Sequence, residues 1–243
     1  MSNRSETDGN AHAVQMTTRY DALWREYLPA LQQGDVLVDR ALAAAAPDQR
    51  RGLSLIIRPA RQVCAQIDAA SRFFASDESG VWPYAVEQLH VTALTLVSCR
   101  AGFCARDIDL RPLLAALSRS MQSIEPFEIV FRGITATNEA IMAQGFADDS
   151  IVASLRGAIS SACDLVGLAA LRNQRYDHVT AHCTMQRFSG PLLSPAEYCQ
   201  KLMRYRSRQF GQSLVSRLVL VENDWFHRPD SVLELAELPL AGS

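Results

Sequence analysis

Two short segments of the chain place a histidine and a threonine two residues apart. The first reads QLHVTALTL and contains His90 and Thr92; the second reads TAHCTMQRF and contains His182 and Thr184. Side chains at this spacing lie on the same face of a β-strand. An imidazole can accept or donate a proton near neutral pH, and a hydroxyl can stabilise developing negative charge. Two such pairs across one cleft would suit cleavage of a phosphodiester without a metal, with one histidine as base and the other as acid.

A single His-x-Thr pair is a weak signal, because such pairs also occur on ordinary solvated strands. Two pairs at matching places in a chain with only five histidines are much less expected by chance. His178 forms a third His-x-Thr with Thr180, but the closing strands predicted at 139 and 231 start 49 residues after His90 and His182, respectively. We therefore assign the proton transfer to His90 and His182. His178 either contacts the sugar or a second phosphate of the substrate or is a partly exposed strand residue.

After a first strand, the elements that position these residues are predicted to occur twice in the same order. In the first half we predict a strand at 52–59, a helix at 60–74, a strand at 87–98, a helix at 109–124, and strands at 126–137 and 139–146. In the second half we predict a helix at 148–169, a strand at 176–188, a helix at 194–210, and strands at 213–223 and 231–238. The expected N-caps are the Asp/Ser residues at the start of the helix at 148–169 and Ser194 at the start of the helix at 194–210. This order indicates an internal duplication.

The predicted fold class is α+β: a two-lobed, pseudo-symmetric duplication with mainly antiparallel sheets flanked by helices. The two His-x-Thr strands would line a central cleft. We expect residues 1–16 to be disordered and 17–50 to form a helical N-terminal arm, with a helix at about 17–32. Residues 51–243 would form one bilobal domain with lobes at about 51–140 and 141–243, and strands could be exchanged between them.

Composition is that of an ordinary globular protein, with 243 residues, 48% hydrophobic and 21% charged. A net charge of -2 argues against a strong, sequence-independent grip on long nucleic acid, which needs many phosphate contacts. The six cysteines form no CxxC pair and are expected to be reduced thiols, so we predict a cytoplasmic protein. The first residues lack a secretory h-region and no apolar run is long enough for a membrane helix, so no membrane partner is predicted.

These motifs resemble those of the two-histidine (2H) phosphoesterase superfamily, which includes 2′-5′ RNA ligase-like proteins and cyclic phosphodiesterases. The second motif of that family often continues as His-x-Thr-x-x-Arg, and His182, Thr184 and Arg187 match it. The resemblance covers roughly residues 52–240 and leaves the N-terminal arm outside.

The resemblance implies a phosphoric diester hydrolase in which His90 and His182 are the acid–base pair. Thr92 and Thr184 would bind the phosphate, and Arg187 is a further expected phosphate contact. The family usually acts on nucleotide 2′,3′-cyclic phosphates or 2′-5′ linkages without a metal, so no cofactor is expected, and the partner is a nucleotide or oligonucleotide substrate, including RNA ends. Which histidine is the base is left open.

Two tyrosines precede the motifs and could stack on a nucleobase. They are Tyr84 and Tyr176, and packing in the core is the alternative for each.

Three alternatives to this interpretation follow from the same residues. A protein of the same fold could bind a nucleotide or an RNA end without turning it over. A zinc site could be built from His90, His178 and His182, although no carboxylate has convincing ligand spacing. Cys183 could be a nucleophile, although its side chain is expected to face the core.

Overall fold

Nine strands in the described part of the chain form one sheet in which every pair is antiparallel. The computed structural model describes residues 4–44, 48–168 and 180–242. The strands are β1 (Arg51–Ile57), β2 (Val81–Pro83), β3 (Val91–Arg100), β4 (Phe127–Ala136), β5 (Ala140–Phe146), β6 (Cys183–Phe188), β7 (Gln209–Val215), β8 (Arg217–Asn223) and β9 (Leu233–Pro239). Their order in the sheet is β7-β4-β5-β6-β3-β1-β8-β9, with β2 also beside β6.

This order divides the sheet into two half-sheets that meet between β3 and β6. The first half-sheet is β3-β1-β8-β9 and the second is β6-β5-β4-β7. Each half-sheet combines strands from both halves of the sequence, because β8 pairs with β1 and β5 pairs with β6.

Three of the described helices begin after an aspartate whose carboxylate accepts a hydrogen bond from the first turn, whereas Ser194, the other expected N-cap, makes no such bond. The described helices are α1 (Arg4–Gln32), α2 (Arg40–Ala43), α3 (Arg61–Ala75), α4 (Leu110–Met121), α5 (Asp149–Leu165) and α6 (Pro195–Arg204). The Asp109 carboxylate accepts a hydrogen bond from the amide of Arg111 at the start of α4. The Asp148 carboxylate accepts one from Ser150 at the start of α5. These caps satisfy amides that have no partner within the helix. None of the described helices combines the length and apolarity needed to cross a bilayer.

One continuous core lies between the helices and one face of the sheet. It includes Leu55 of β1, Leu96 of β3, Phe131 of β4 and Ile67 of α3, all completely buried. Ile56 points to the opposite face, where it packs in a separate small cluster with two valines of β8. Helices therefore cover one face, and the other carries the polar residues of the predicted site.

The N-terminal arm packs against the second half-sheet. Helix α1 spans Arg4–Gln32 and includes the helix predicted at about 17–32. Tyr20 of α1 is 1% exposed, and its hydroxyl donates a hydrogen bond to the carbonyl of Gly145 at 3.0 Å. After α1, the amide of Asp39 donates to the carbonyl of Phe188 at the end of β6. The arm is thus bonded to strands next to the second motif.

Several strand boundaries differ from the prediction. The strand predicted at 213–223 is two strands, β7 and β8, which separate at Ser216 and pair with different half-sheets. The short strand β2 was not predicted, because three residues ending in a proline carry almost no periodic signal. The strands predicted from 87 and 176 begin at Val91 and Cys183, so each motif histidine immediately precedes its strand.

Candidate active site

His90 lies between a turn of 3-10 helix and β3. Its Nδ1 is 2.6 Å from the carbonyl oxygen of Gln88. Because a carbonyl only accepts, we assign the proton to Nδ1, which leaves Nε2 as the unprotonated nitrogen. The ring is 9% exposed, and burial lowers the pKa of His90 to about 4. His90 is therefore a neutral imidazole at pH 7, with a nitrogen that can accept a proton.

His182 occupies the corresponding place before β6. Its Nδ1 is 2.8 Å from the Thr180 hydroxyl oxygen, which can accept a hydrogen bond from it. The segment is held by Arg156 of α5, whose guanidinium donates from Nη2 to the carbonyl of Thr180 at 2.9 Å and from Nε to the carbonyl of Ala93 at 3.0 Å. One partly buried side chain thus fixes the backbones of both motif segments relative to each other.

The two motifs are neighbours in the sheet. Val91 of β3 pairs with Cys183 of β6. Extending this antiparallel register by one residue in each direction places His90 opposite Thr184 and Thr92 opposite His182. Side chains related in this way share a face, and the two histidines are diagonal neighbours at about 7–8 Å between their Cα atoms. A phosphate group fits between two imidazoles at that separation.

Burial supports the assignment of the two faces. Val91, Ala93, Ala181 and Cys183 are all at most 2% exposed and pack in the core. The threonines of both motifs are partly exposed.

An irregularity in β6 brings Arg187 to the same face as His182. In the pairing of β5 with β6, Met185 has no partner, which defines a β-bulge. Met185 and Gln186 are consecutive buried residues, whereas Thr184 and Arg187 are partly exposed. The bulge reverses the alternation of side chains, so residues spaced by two and then by three share one face.

Arg187 is surrounded by polar and aromatic groups. Its Nε donates a hydrogen bond to the Tyr84 hydroxyl at 3.0 Å, and its guanidinium carbon is 5.6 Å from the centroid of the Trp225 ring. The Glu139 carboxylate is 4.0 Å away. Tyr84 is 2% exposed, so its ring is in the core and is not available to stack on a base, contrary to the functional prediction for this residue. Its hydroxyl positions Arg187 instead.

Two predicted site residues, His178 and Tyr176, lie outside the described residues. Cys183 is completely buried on the core face, and burial raises the pKa of its thiol, which removes the basis for a cysteine nucleophile. Within the described ranges, no group of three or more histidine, cysteine or acidic side chains has an arrangement suited to a metal ion.

Three further residues reach this site without having been predicted. Arg58 follows β1, and the register of β1 with β3 places it opposite His90. Trp225 and His227 come from the connection between β8 and β9, and the His227 ring lies 3.8 Å from that of His90. This connection reads DWFHRPD, and its aromatic and basic residues were the available signal. Their position depends on the distant pairing of β8 with β1, which sequence periodicity does not predict.

Solved structures share this fold, although no family model and no curated protein matches the sequence. The protein TT0787 of Thermus thermophilus is 20% identical over 80% of this chain and 99% of its own length, with a TM-score of 0.60. A protein described as a phosphoesterase is 16% identical over 79% of this chain and 99% of its own, with a TM-score of 0.53. Escherichia coli LigT complexed with 3′-AMP is 14% identical over 79% of this chain and 99% of its own, with a TM-score of 0.54.

At these identities the comparison shows the fold. The chain has the fold of LigT and of these related structures, and the predicted α+β class is confirmed. This is the fold that the resemblance of the two His-x-Thr motifs implies.

Proposed function

We propose that the protein is a 2H phosphoesterase that hydrolyses a nucleotide 2′,3′-cyclic phosphate or a 2′-5′ phosphodiester without a metal. The observation that carries the proposal is the adjacency of the two His-x-Thr motifs on one face of the sheet, fixed by the pairing of Val91 with Cys183. The likeness in fold to LigT supports a nucleotide substrate, because LigT has been solved in complexes with 3′-AMP and NADP+.

The proposed reaction divides the proton transfers between the two histidines. Water attacks phosphorus, and Nε2 of the neutral His90 accepts its proton. The bond from phosphorus to the leaving ribose oxygen breaks, and a protonated His182 donates a proton to that oxygen. The products are a phosphomonoester and a free hydroxyl. General acid and base catalysis each contribute roughly 10²–10⁴-fold to such reactions.

The remaining residues of the face would stabilise the charged phosphate. Thr92 and Thr184 can donate hydrogen bonds to the non-bridging oxygens, where negative charge develops. Arg58 and Arg187 would add positive charge on either side of the phosphate. Arg187 is aligned for this role by its hydrogen bond to the Tyr84 hydroxyl.

Product analysis tests the proposal directly. The protein, in EDTA, is incubated with 2′,3′-cyclic mononucleotides and 2′-5′-linked dinucleotides, and the products are separated by chromatography. We expect cleavage by the wild type and a loss of at least ~10²-fold in His90→Ala and in His182→Ala. Binding of the same compounds without cleavage would favour a nucleotide-binding or RNA-end-binding module and would overturn the proposal.

The chain offers a matched control on β3. Thr92→Val removes a hydroxyl that we place at the phosphate, whereas Thr95→Val makes the same change about 10 Å further along the strand. We expect Thr92→Val alone to lower kcat. Equal kcat values in the two variants would contradict the role of Thr92.

A further inference from the structure

His227 is in direct ring contact with His90. The two ring centroids are 3.8 Å apart and the planes are inclined by 31°. His227 is 7% exposed, and its Nδ1 has no hydrogen-bond partner among the described residues. A buried, unpaired imidazole nitrogen is unfavourable, so the contact is retained at a cost to stability.

The connection between β8 and β9 is built to hold His227 in this place. His227 has a φ of 52°, a left-handed conformation that is unfavourable for a residue with a side chain. The completely buried Asp224 accepts hydrogen bonds from the amides of Phe226 at 3.2 Å and Arg228 at 2.9 Å, one on each side of His227. Backbone strain of this kind persists only where the surrounding bonds over-determine the conformation.

Gln88 connects this loop to His90. Its backbone carbonyl lies 2.6 Å from Nδ1 of His90, and its side-chain amide donates to the carbonyl of Phe226 at 3.0 Å. Gln88 is 4% exposed. The same residue therefore fixes the tautomer of one ring and the loop that carries the other.

We propose that His227 is a positioning residue for His90: its stacked ring fixes the orientation of the His90 imidazole, shields one face from water, and keeps that imidazole in the neutral form that accepts a proton. The catalytic consequence rests on the proposed function, whereas the effect on His90 itself does not.

The charges around His90 act in the same direction. Arg58 at the end of β1 and Arg187 of β6 both disfavour a positive charge on His90, and only the Gln88 carbonyl favours it. The Cys183 thiol behind the strand is held neutral by burial. Burial is the largest contribution to the low pKa of His90, and the His227 ring supplies part of that burial.

Two substitutions at His227 distinguish an effect of the stacked ring on His90 from an effect on the loop alone. His227→Asn tolerates the left-handed backbone and removes the stacked ring, whereas His227→Phe keeps an aromatic ring over His90. Phe226→Leu, in the same loop, is the control for a general loosening of the loop.

The first measurement is the pKa of His90 by NMR titration of the imidazole resonances. We expect it to rise by ~1 or more in His227→Asn, towards 6.5, and to stay low in His227→Phe and Phe226→Leu. An unchanged pKa in His227→Asn would overturn the inference, because a merely structural loop residue would not move it.

The second measurement is the pH dependence of kcat/KM. The acid limb of the profile should move to higher pH in His227→Asn, so that kcat/KM at pH 5 falls by at least ~2-fold relative to that at pH 7.5, and it should not move in His227→Phe. Turnover with no movement of this limb would overturn the inference and leave the proposed function standing. A shifted His90 pKa without turnover of any substrate would leave the inference standing and remove the proposed function.

Discussion

Gly145 of β5 lies where any side chain would disturb the second motif. A Cβ atom at this position would overlap the carbonyl oxygen of Ala181 and would lie 3.0 Å from the carbonyl carbon of Ala181 and from Cγ2 of Ile129. Carbon atoms in contact are normally about 3.5–4.0 Å apart. Gly145→Ala therefore requires movements of about 0.5–1 Å at the two carbon contacts and of more than about 1 Å at the Ala181 carbonyl oxygen. The segment just before β6 is the side that can move. That segment carries His182.

Both stability and activity should respond to this movement. Overpacking in a close-packed interior costs about 1–3 kcal/mol, and a displacement of about 1 Å in a catalytic group can reduce a rate by about 10²-fold. We expect the free energy of unfolding, measured with urea, to decrease by about 1–3 kcal/mol and kcat/KM to decrease by at least ~10-fold. Gly157→Ala is the matched control, because a Cβ there meets nothing within 4 Å and alanine is the better helix former.

An equal response of the two glycine variants would refute this reasoning. So would a Gly145→Ala protein with unchanged stability and kcat/KM, since the Ala181 carbonyl would then have moved without consequence for His182.

Three further predictions follow from buried polar contacts. Arg156→Lys should lower the free energy of unfolding by about 1–3 kcal/mol in urea, because one ammonium group cannot replace the planar guanidinium at the carbonyls of both Ala93 and Thr180; an unchanged midpoint would contradict it. Tyr20→Phe should cost a similar amount, because it leaves buried backbone groups of β5 unpaired, and a wild-type melting temperature would argue against it. Burial lowers the pKa of His90 to about 4, so between that pH and about 6.5 the unfolded chain binds a proton that the folded protein does not. The contribution of His90 to the free energy of unfolding is therefore complete above pH 6.5, and about 3 kcal/mol of stability is lost as the pH falls towards 4. The free energy of unfolding of His90→Gln should decrease less than that of the wild type between pH 7.5 and 4.5. Equal decreases would contradict this prediction.

Local sequence patterns were sufficient to predict where α5 and α6 begin and which segments carry the His-x-Thr motifs. The cap at Asp148, the proline at the start of α6 and the repeated His-x-Thr spacing all depend on neighbouring residues, and the corresponding elements are present. The pairing of β3 with β6 agrees with the expectation that both motifs line one cleft.

The remaining features depend on contacts between distant residues. The bulge at Met185 is defined by the pairing with β5, and the sequence indicates it only through the consecutive polar residues Gln186 and Arg187. Tyr20 is buried because it meets Gly145, which lies 125 residues away. His227 reaches His90 only because β8 pairs with β1. No local pattern encodes these approaches, which explains why the sequence did not predict the third histidine of the site.

The pairing of β1 with β8 has a consequence for synthesis of the chain. Ser54 pairs with Val221, so one edge of β1 has no partner until residues 217–223 have left the ribosome. Sequence-distant pairings of this kind make folding slow, and an unpaired apolar edge is a template for aggregation. A nascent chain that stalls before β8 would expose that edge, and would also lack the loop that completes the surroundings of His90. Protection of that edge and completion of the surroundings of His90 therefore both wait for the synthesis of residues 217–227.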